Sequence, residues 1–224
     1  MSHLANLLEH AEVFEHLTGK QREELAGLAI RKQLKKGEIL CMEGDSWPYV
    51  VLIGSGDLRS VINSPDGRSY VVSVWGKGEV FWGHTLFDEN PMPSTLEAAS
   101  ATHIYFWEGE PVLQSVLRNE AATRSLLRRQ IRLIRMRRQN IHSLAFSPVA
   151  SRLAKLIADR FEGENEPTVQ RDLTLTEMAE RVATSPEVVC RLLYQFQDNG
   201  TLSISRASIT LHDRKALERM ILPE

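Results

Sequence analysis

The sequence predicts an α+β chain in which an antiparallel β-barrel or jelly roll leads through one long helix into a winged helix-turn-helix. Three observations carry that expectation. Short β-rich runs (EILCM, YVVLIG, DLRSVIN, SYVVSVW, HIYFW) are divided by glycines between Leu34 and about Phe106. From Pro111 to Phe146 apolar residues step by four and three, which is helical spacing. After Leu173 a short capped helix, a tight turn, a second helix opened by Ser185-Pro186 and an alternating hairpin follow in order.

The chain has 224 residues, room for two ordinary domains, and is 42% hydrophobic and 25% charged, a composition that supports a folded core. The start, MSHLANLLEHAEVF, lacks a basic patch followed by an apolar run, so no secretory signal is expected. No apolar stretch approaches the roughly 20 residues that span a bilayer. The cysteines, Cys41 and Cys190, lie far apart, which argues against a disulfide framework, a zinc finger or an iron–sulfur cluster. The expected location is the cytosol, with no membrane partner.

Taking the elements in order, residues 4–30 show amphipathic helical spacing, with Leu4, Leu7, Leu8, Val13, Phe14 and Leu17 in the apolar set. The β-rich segment follows, and within it Ser64–Gly67 (SPDG) separates two runs as a hairpin turn does. Pro111 to Phe146 is expected as one long helix. Leu127, Ile131, Ile134, Arg138, Ile141 and Ala145 form a stripe that suits either a monomer core or a coiled-coil seam, and the arginines on the other faces favour a dimer. Pro148 restarts a helix, which sets the domains at 1–110, 111–146 and 147–224, and EGENEP at 162–167 is a polar loop.

Thr174 and Glu177 have the spacing of a capping box, and Met178 and Val182 are placed to pack inward. Residues 182–185 leave space only for a tight turn. Ser185 suits an N-cap, Pro186 the first helical position, and Gly200 the stop. Val189, Leu192, Leu193 and Phe196 share one face, which leaves Glu187, Cys190, Arg191 and Tyr194 pointing elsewhere. Glu187 and Arg191 suit a solvated i, i+4 pair worth roughly 0.2–0.5 kcal/mol, or a face that reads base edges. TLSIS–RAS–ITLHD alternates about a short turn, as a wing does.

The ordered set KKGEILCMEGD, GSGDLR, GKGEVFWGHTLF, SLAFSPVASRLAKLI and LTLTEMAERVATSPEVVCRLLYQFQDNGTL resembles the cyclic-AMP receptor protein / fumarate-nitrate regulator (Crp/Fnr) family of bacterial transcription factors over nearly the whole length. The resemblance implies a jelly-roll, cyclic-nucleotide-binding-like β-roll that senses an effector, a dimerisation helix and a DNA-binding winged helix. It also implies a homodimer on double-stranded palindromic DNA, RNA polymerase as a partner, and a small-molecule effector. The family's E-x-x-x-R residues, which read a C and a G, match Glu187 and Arg191. Geometry agrees, since Arg bonds guanine bidentately and Glu accepts from cytosine N4. Pro186 stands where the cyclic-AMP receptors carry a further arginine, and Cys190 where the fumarate-nitrate branch has Ser. A TGA-like half-site core is the expectation. Ala183 stands where relatives often place a turn glycine. Phosphate contacts are assigned to backbone N–H groups, Ser185, Tyr194 and Arg206. The candidate DNA-binding set is Ser185, Glu187, Val188, Cys190, Arg191, Tyr194 and Arg206.

For the effector pocket the candidates are Gly83, His84, Ser94, Arg137 and Arg138. Gly83 takes the place of the family's ribose-binding Glu, Pro93-Ser94 that of the phosphate-gripping Arg-Ser pair, and Arg137-Arg138 that of the adenine-contacting Thr-Ser pair, so cyclic AMP is not the expected effector. The oxygen-sensing branch's N-terminal cysteine cluster is also missing. His84 falls near the haem-ligating histidine of the carbon-monoxide-sensing branch, and the competing reading is a histidine without metal. Arg138 either meets its symmetry mate, neutralised by an anionic effector or by an acid from the β-roll, or flanks the seam with its head in water.

Charge is uneven: residues 1–110 carry 9 basic against 16 acidic side chains, 111–146 carry 8 against 1, and 147–224 carry 10 against 12. The last balance is the best argument for a rival, a winged helix that serves protein–protein contact, although several of its acids lie in the 162–166 loop and at the terminus. A cupin-type metalloenzyme is the remaining rival. It needs clustered ligands, whereas His84 and His103 are isolated in the sequence. The chain is therefore expected not to be an enzyme, with no resident metal.

Overall fold

Two four-stranded antiparallel sheets form the N-terminal part of the computed structural model, which describes residues 3–164 and 166–221. The terminal acid Glu224 lies outside the described residues. The first sheet holds β1 (Ile30–Leu34), β3 (Tyr49–Ser55), β6 (Val80–Trp82) and β8 (Thr102–Glu108) in the order β1-β8-β3-β6. The second holds β2 (Ile39–Cys41), β4 (Leu58–Asn63), β5 (Ser69–Trp75) and β7 (Thr95–Ala98) in the order β2-β7-β4-β5.

Strand β3 shows why YVVLIG reads as a continuous apolar run rather than an alternating one. Val51 and Ile53 face the roll interior with Leu34, Leu58, Trp75, Phe81, Leu96 and Ile104. Val50 and Leu52 face the other way, against helices α1 (His3–Glu9) and α2 (Gly19–Leu28) and the short 3₁₀ turn Phe14–His16. A strand buried on both faces loses its period-2 signal. The SPDG turn closes with the Gly67 N–H donating to the Ser64 carbonyl at 2.9 Å, and Gly67 has φ 83°, which glycine adopts without strain.

Helix α3 (Thr85–Asp88) follows β6, and α4 (Gly109–Leu117) follows β8. The expected single helix over 111–146 is corrected here. It breaks at Arg118-Asn119, and the long helix α5 runs from Glu120 to Phe146. Asn119 explains the break: its Oδ1 accepts from the Ala122 N–H at 3.0 Å, an N-cap interaction that starts a new helix, while its Nδ2 donates to the His16 carbonyl at 2.9 Å. Further along α5, buried Arg129 donates to the Val80 carbonyl and to Glu12, and Arg132 also pairs with Glu12. These contacts hold the start of α5 against β6 and the N-terminal segment.

The C-terminal part is built from α6 (Val149–Ala158), a 3₁₀ turn (Asp159–Phe161), β9 (Thr168–Gln170), α7 (Leu175–Val182), α8 (Pro186–Asp198), β10 (Leu202–Ile204), β11 (Ser208–Leu211) and α9 (Arg214–Met220). Its strands pair in the order β10-β11-β9. Leu153, Ile157, Phe161, Met178, Val182, Val189, Leu193, Phe196, Leu202 and Ile209 form its core, all at most 3% exposed. The fold is α+β. The chain divides into two compact units, residues 1–62 with 72–135, and residues 63–71 with 136–224. Among the described residues no helix is long and apolar enough to cross a membrane.

Candidate DNA-reading face and sensor residues

Helix α7 starts as its sequence requires. Thr174 N–H donates to the Glu177 carboxylate at 2.8 Å, and Glu177 N–H donates to the Thr174 hydroxyl at 3.2 Å, a reciprocal capping box. It ends at Ala183, whose φ of 52° and ψ of 60° place an alanine in the left-handed region. The N–H groups of Ala183 and Thr184 both donate to the Ala179 carbonyl, closing the turn. Arg152 of α6 holds that turn from below, its Nε donating to the Val182 carbonyl at 3.0 Å and Nη1 to the Ser147 carbonyl at 2.6 Å.

Ser185 occupies the N-cap position of α8, and its carbonyl accepts from Val189 N–H at 3.1 Å, with Pro186 in the first turn. The expected hydroxyl cap is corrected: the Ser185 side chain makes no cap hydrogen bond. The nearby Ser185 hydroxyl, with Glu187's own backbone N–H, lowers the Glu187 carboxyl below its ordinary pKa.

Val189, Leu193 and Phe196 are buried, and Leu192 packs on the same core. Glu187, Arg191 and Tyr194 are exposed, while Ser185, Val188 and Cys190 are half-buried. Among the described residues no ion pair joins Glu187 to Arg191, so the helical pair that a merely solvated face would favour is not made. Pro186, Glu187, Cys190, Arg191 and Tyr194 line an open cleft of about 710 Å³ with Leu175, Gln195 and Asp198. A second hollow of about 300 Å³ shares Leu175, Cys190 and Tyr194 and extends to Ile204, Ser205 and Arg206 of the wing and to Arg171.

The wing turn is set by Ser205, whose hydroxyl accepts from the N–H groups of Ala207 and Ser208 at 3.1 and 2.9 Å. Arg171 fastens it, donating from Nη1 to the Ser205 carbonyl at 3.1 Å and from its backbone N–H to the Ala207 carbonyl at 2.8 Å. Exposed Arg206 is thereby carried at the tip. Sequence reasoning missed Arg171 and Arg152. Neither has a local signal in the sequence, because the Val182 and Ser205 carbonyls they bind lie elsewhere in the chain.

In the β-roll, Gly83 sits where no side chain fits: a Cβ there would lie 2.1 Å from the Trp47 carbonyl oxygen and 2.8 Å from that of Tyr49. Half-buried His84 precedes α3, its ring centroid 5.8 Å from that of Phe81. Ser94 is buried and its hydroxyl lies 2.6 Å from that of Ser60, so it is engaged inside the second sheet. Arg137 is half-buried and Arg138 exposed on α5. The stripe residues Leu127, Ile131, Ile134 and Ile141 are 61%, 50%, 61% and 68% exposed in the single chain, too exposed for the core of a monomer. Both cysteines are free. Cys41 is buried, and burial first, then the neighbouring Asp45 charge, pushes its thiol up to about 11. Among the described residues no group of three or more His, Cys, Asp or Glu side chains is arranged to hold a metal ion.

A β-roll joined by a long helix to a winged helix-turn-helix defines a ligand-sensing class of DNA-binding regulator. The comparisons agree at both ends of the chain: residues 31–119 match the cyclic nucleotide-binding domain and residues 149–220 the Crp-like helix-turn-helix domain. The chain belongs to the Crp/Fnr family of bacterial transcription regulators. It is 26% identical to the CRP-like cAMP-activated global transcriptional regulator of Mycobacterium tuberculosis, over 95% of this chain and 97% of that one. Its fold is similar to that of FixK2 from Bradyrhizobium japonicum (TM-score 0.75, 19% identity, 88% of this chain and 98% of that one). It is also similar to a CooA mutant from Carboxydothermus hydrogenoformans (TM-score 0.74, 18% identity, 88% and 89%).

Gly83 has no space for a carboxylate side chain, Pro93 offers no guanidinium, and the Ser94 hydroxyl is taken by Ser60.

Proposed function

We propose that this protein is an effector-responsive regulator that binds a palindromic DNA site as a homodimer, each recognition helix reading a TGA-like half-site core. On this reading residues 1–110 sense the effector, 111–146 pair the subunits and 147–224 bind DNA. Arg191 donates bidentately to a guanine and the Glu187 carboxylate accepts from a cytosine amine. Tyr194, Ser185, Val188 and Cys190 border the read bases, and Arg206 at the wing tip meets phosphate.

One observation carries the reading: Glu187 and Arg191 stand exposed on one face of α8, not paired with each other, beside an open cleft, while Val189, Leu193 and Phe196 on the opposite face are buried. The exposed stripe on α5 supports the dimer, whose two recognition helices must reach major-groove faces about 34 Å apart, a spacing known from this class of protein. The misfit at the cyclic-phosphate position supports an effector other than cyclic AMP, whose binding biases the dimer helix and so the placement of the recognition helices. RNA polymerase is the partner the family implies. Selection of binding sites from random DNA at controlled salt tests the proposal: an inverted repeat with G and C at the positions facing Arg191 and Glu187 supports it. Absence of any enriched sequence favours the rival in which the winged helix contacts protein.

A further inference from the structure

We propose that the α5 seam carries a binding site for a multivalent oxyanion, built by Arg138 of both subunits with Arg135 beside it. The inference rests on the dimer reading above. On α5 the seam positions Leu127, Ile131, Ile134 and Ile141 are apolar and exposed, and Arg138 takes the next place in the same stripe. In a parallel two-fold pair each seam residue faces its own copy, so the two Arg138 side chains meet at one level.

The helix supplies nothing to neutralise them. Between Glu120 and Asp159 the sequence contains no Asp or Glu, so every α5 residue that flanks this level from either copy is basic or neutral. Other arginines of α5 find acids: Arg124 pairs with Glu120, and Arg129 and Arg132 pair with Glu12. Among the described residues Arg135 and Arg138 make no ion pair, and both are exposed, as is His142 one turn beyond Arg138. Like charges facing each other beside an apolar seam oppose association, and a doubly charged ligand between them reverses the sign. Guanidinium forks suit oxyanions, since each presents two parallel N–H donors to two oxygens. A single halide ion lacks the second set of acceptor atoms. The ligand class is therefore a compact anion with at least two negative charges and several acceptor oxygens.

The test is the monomer–dimer constant of the full chain by sedimentation equilibrium, in pyrophosphate, in citrate and in chloride at one fixed ionic strength. For the wild type, low-millimolar pyrophosphate or citrate tightens the dimer at least tenfold over chloride. Arg138→Leu dimerises tightly in all three and no longer responds, whereas Arg138→Lys retains a weaker response. Equal wild-type constants in the three buffers overturn the site and reduce the charge to screening, and a full response in Arg138→Leu overturns its location. If both proteins are dimers in every buffer, the dimer reading stands and the anion site falls. If neither ever dimerises, both fall.

Discussion

The Arg152 guanidinium donates to the Val182 carbonyl at 3.0 Å, so a side chain of α6 fixes the last turn of α7 immediately before the recognition helix. The same group reaches the Ser147 carbonyl, tying the residues just before α6 to the reading element. Burial lowers its pKa, partly offset by the nearby Tyr70. Arg152→Ala removes two charge-assisted bonds to carbonyls and is expected to destabilise the domain by about 1.5–3 kcal/mol. The variant's thermal midpoint falls and its DNA affinity weakens, but the sequence selected from random DNA is unchanged. An altered sequence preference would place Arg152 at the bases instead.

Ala183 adopts φ 52° where glycine would be unstrained. The left-handed region costs a residue with a Cβ roughly 1–2 kcal/mol, of which glycine's greater unfolded-state entropy takes back part. Ala183→Gly is therefore expected to raise the thermal midpoint modestly, and Ala183→Val to lower it by more. A midpoint lowered by the glycine variant would mean that the methyl group's packing outweighs the backbone strain.

Gly83 and Gly27 form a contrasting pair. The first has carbonyl oxygens where a Cβ would stand, and the second has open space inside α2. Gly83→Ala is expected to cost about 1–3 kcal/mol through overpacking, while Gly27→Ala gains about 0.5–1 kcal/mol from helix entropy. Chemical denaturation of the two variants checks both signs at once.

The Ser185 hydroxyl holds the Glu187 carboxyl below its ordinary pKa. A depressed carboxyl contributes fully above its ordinary value, and the contribution is lost as pH falls through the depressed one. Ser185→Ala moves the Glu187 titration, followed by NMR of the side-chain carbon, to higher pH, so that selective DNA binding fails at a less acidic pH than in the wild type. Helix stability changes by less than about 0.5 kcal/mol, as for an ordinary surface substitution. A large loss of stability with an unmoved titration would return the hydroxyl to the backbone cap.

Much of this molecule is legible in its sequence, for identifiable physical reasons. The capping box at Thr174 and Glu177 and the Ser-Pro start of α8 are local, and local rules describe them. The apolar face of α8 follows from helical spacing, and the glycine-divided runs follow the strands. Strands β6, β7 and β9 are only three or four residues long, too short for a period to show. The break at Asn119 depends on a side chain satisfying both Ala122 and the distant His16 carbonyl. Contacts such as Arg129 with Val80, Arg152 with Val182 and Arg171 with Ser205 join residues far apart in sequence. The missing side-chain cap at Ser185 is a matter of rotamer, which residue type does not decide.

The most direct measurement is a double-mutant cycle on DNA, with wild type and Arg191→Ala each titrated against the selected palindrome and against one with the facing G·C pair inverted in both half-sites. A bidentate Arg–guanine contact is worth about 1–3 kcal/mol, so the wild type should lose roughly tenfold to a hundredfold per half-site on inversion while Arg191→Ala binds both sites equally weakly. If Arg191→Ala keeps the wild-type preference for that base pair, or binds the selected site as tightly as the wild type, Arg191 is not the residue that reads it.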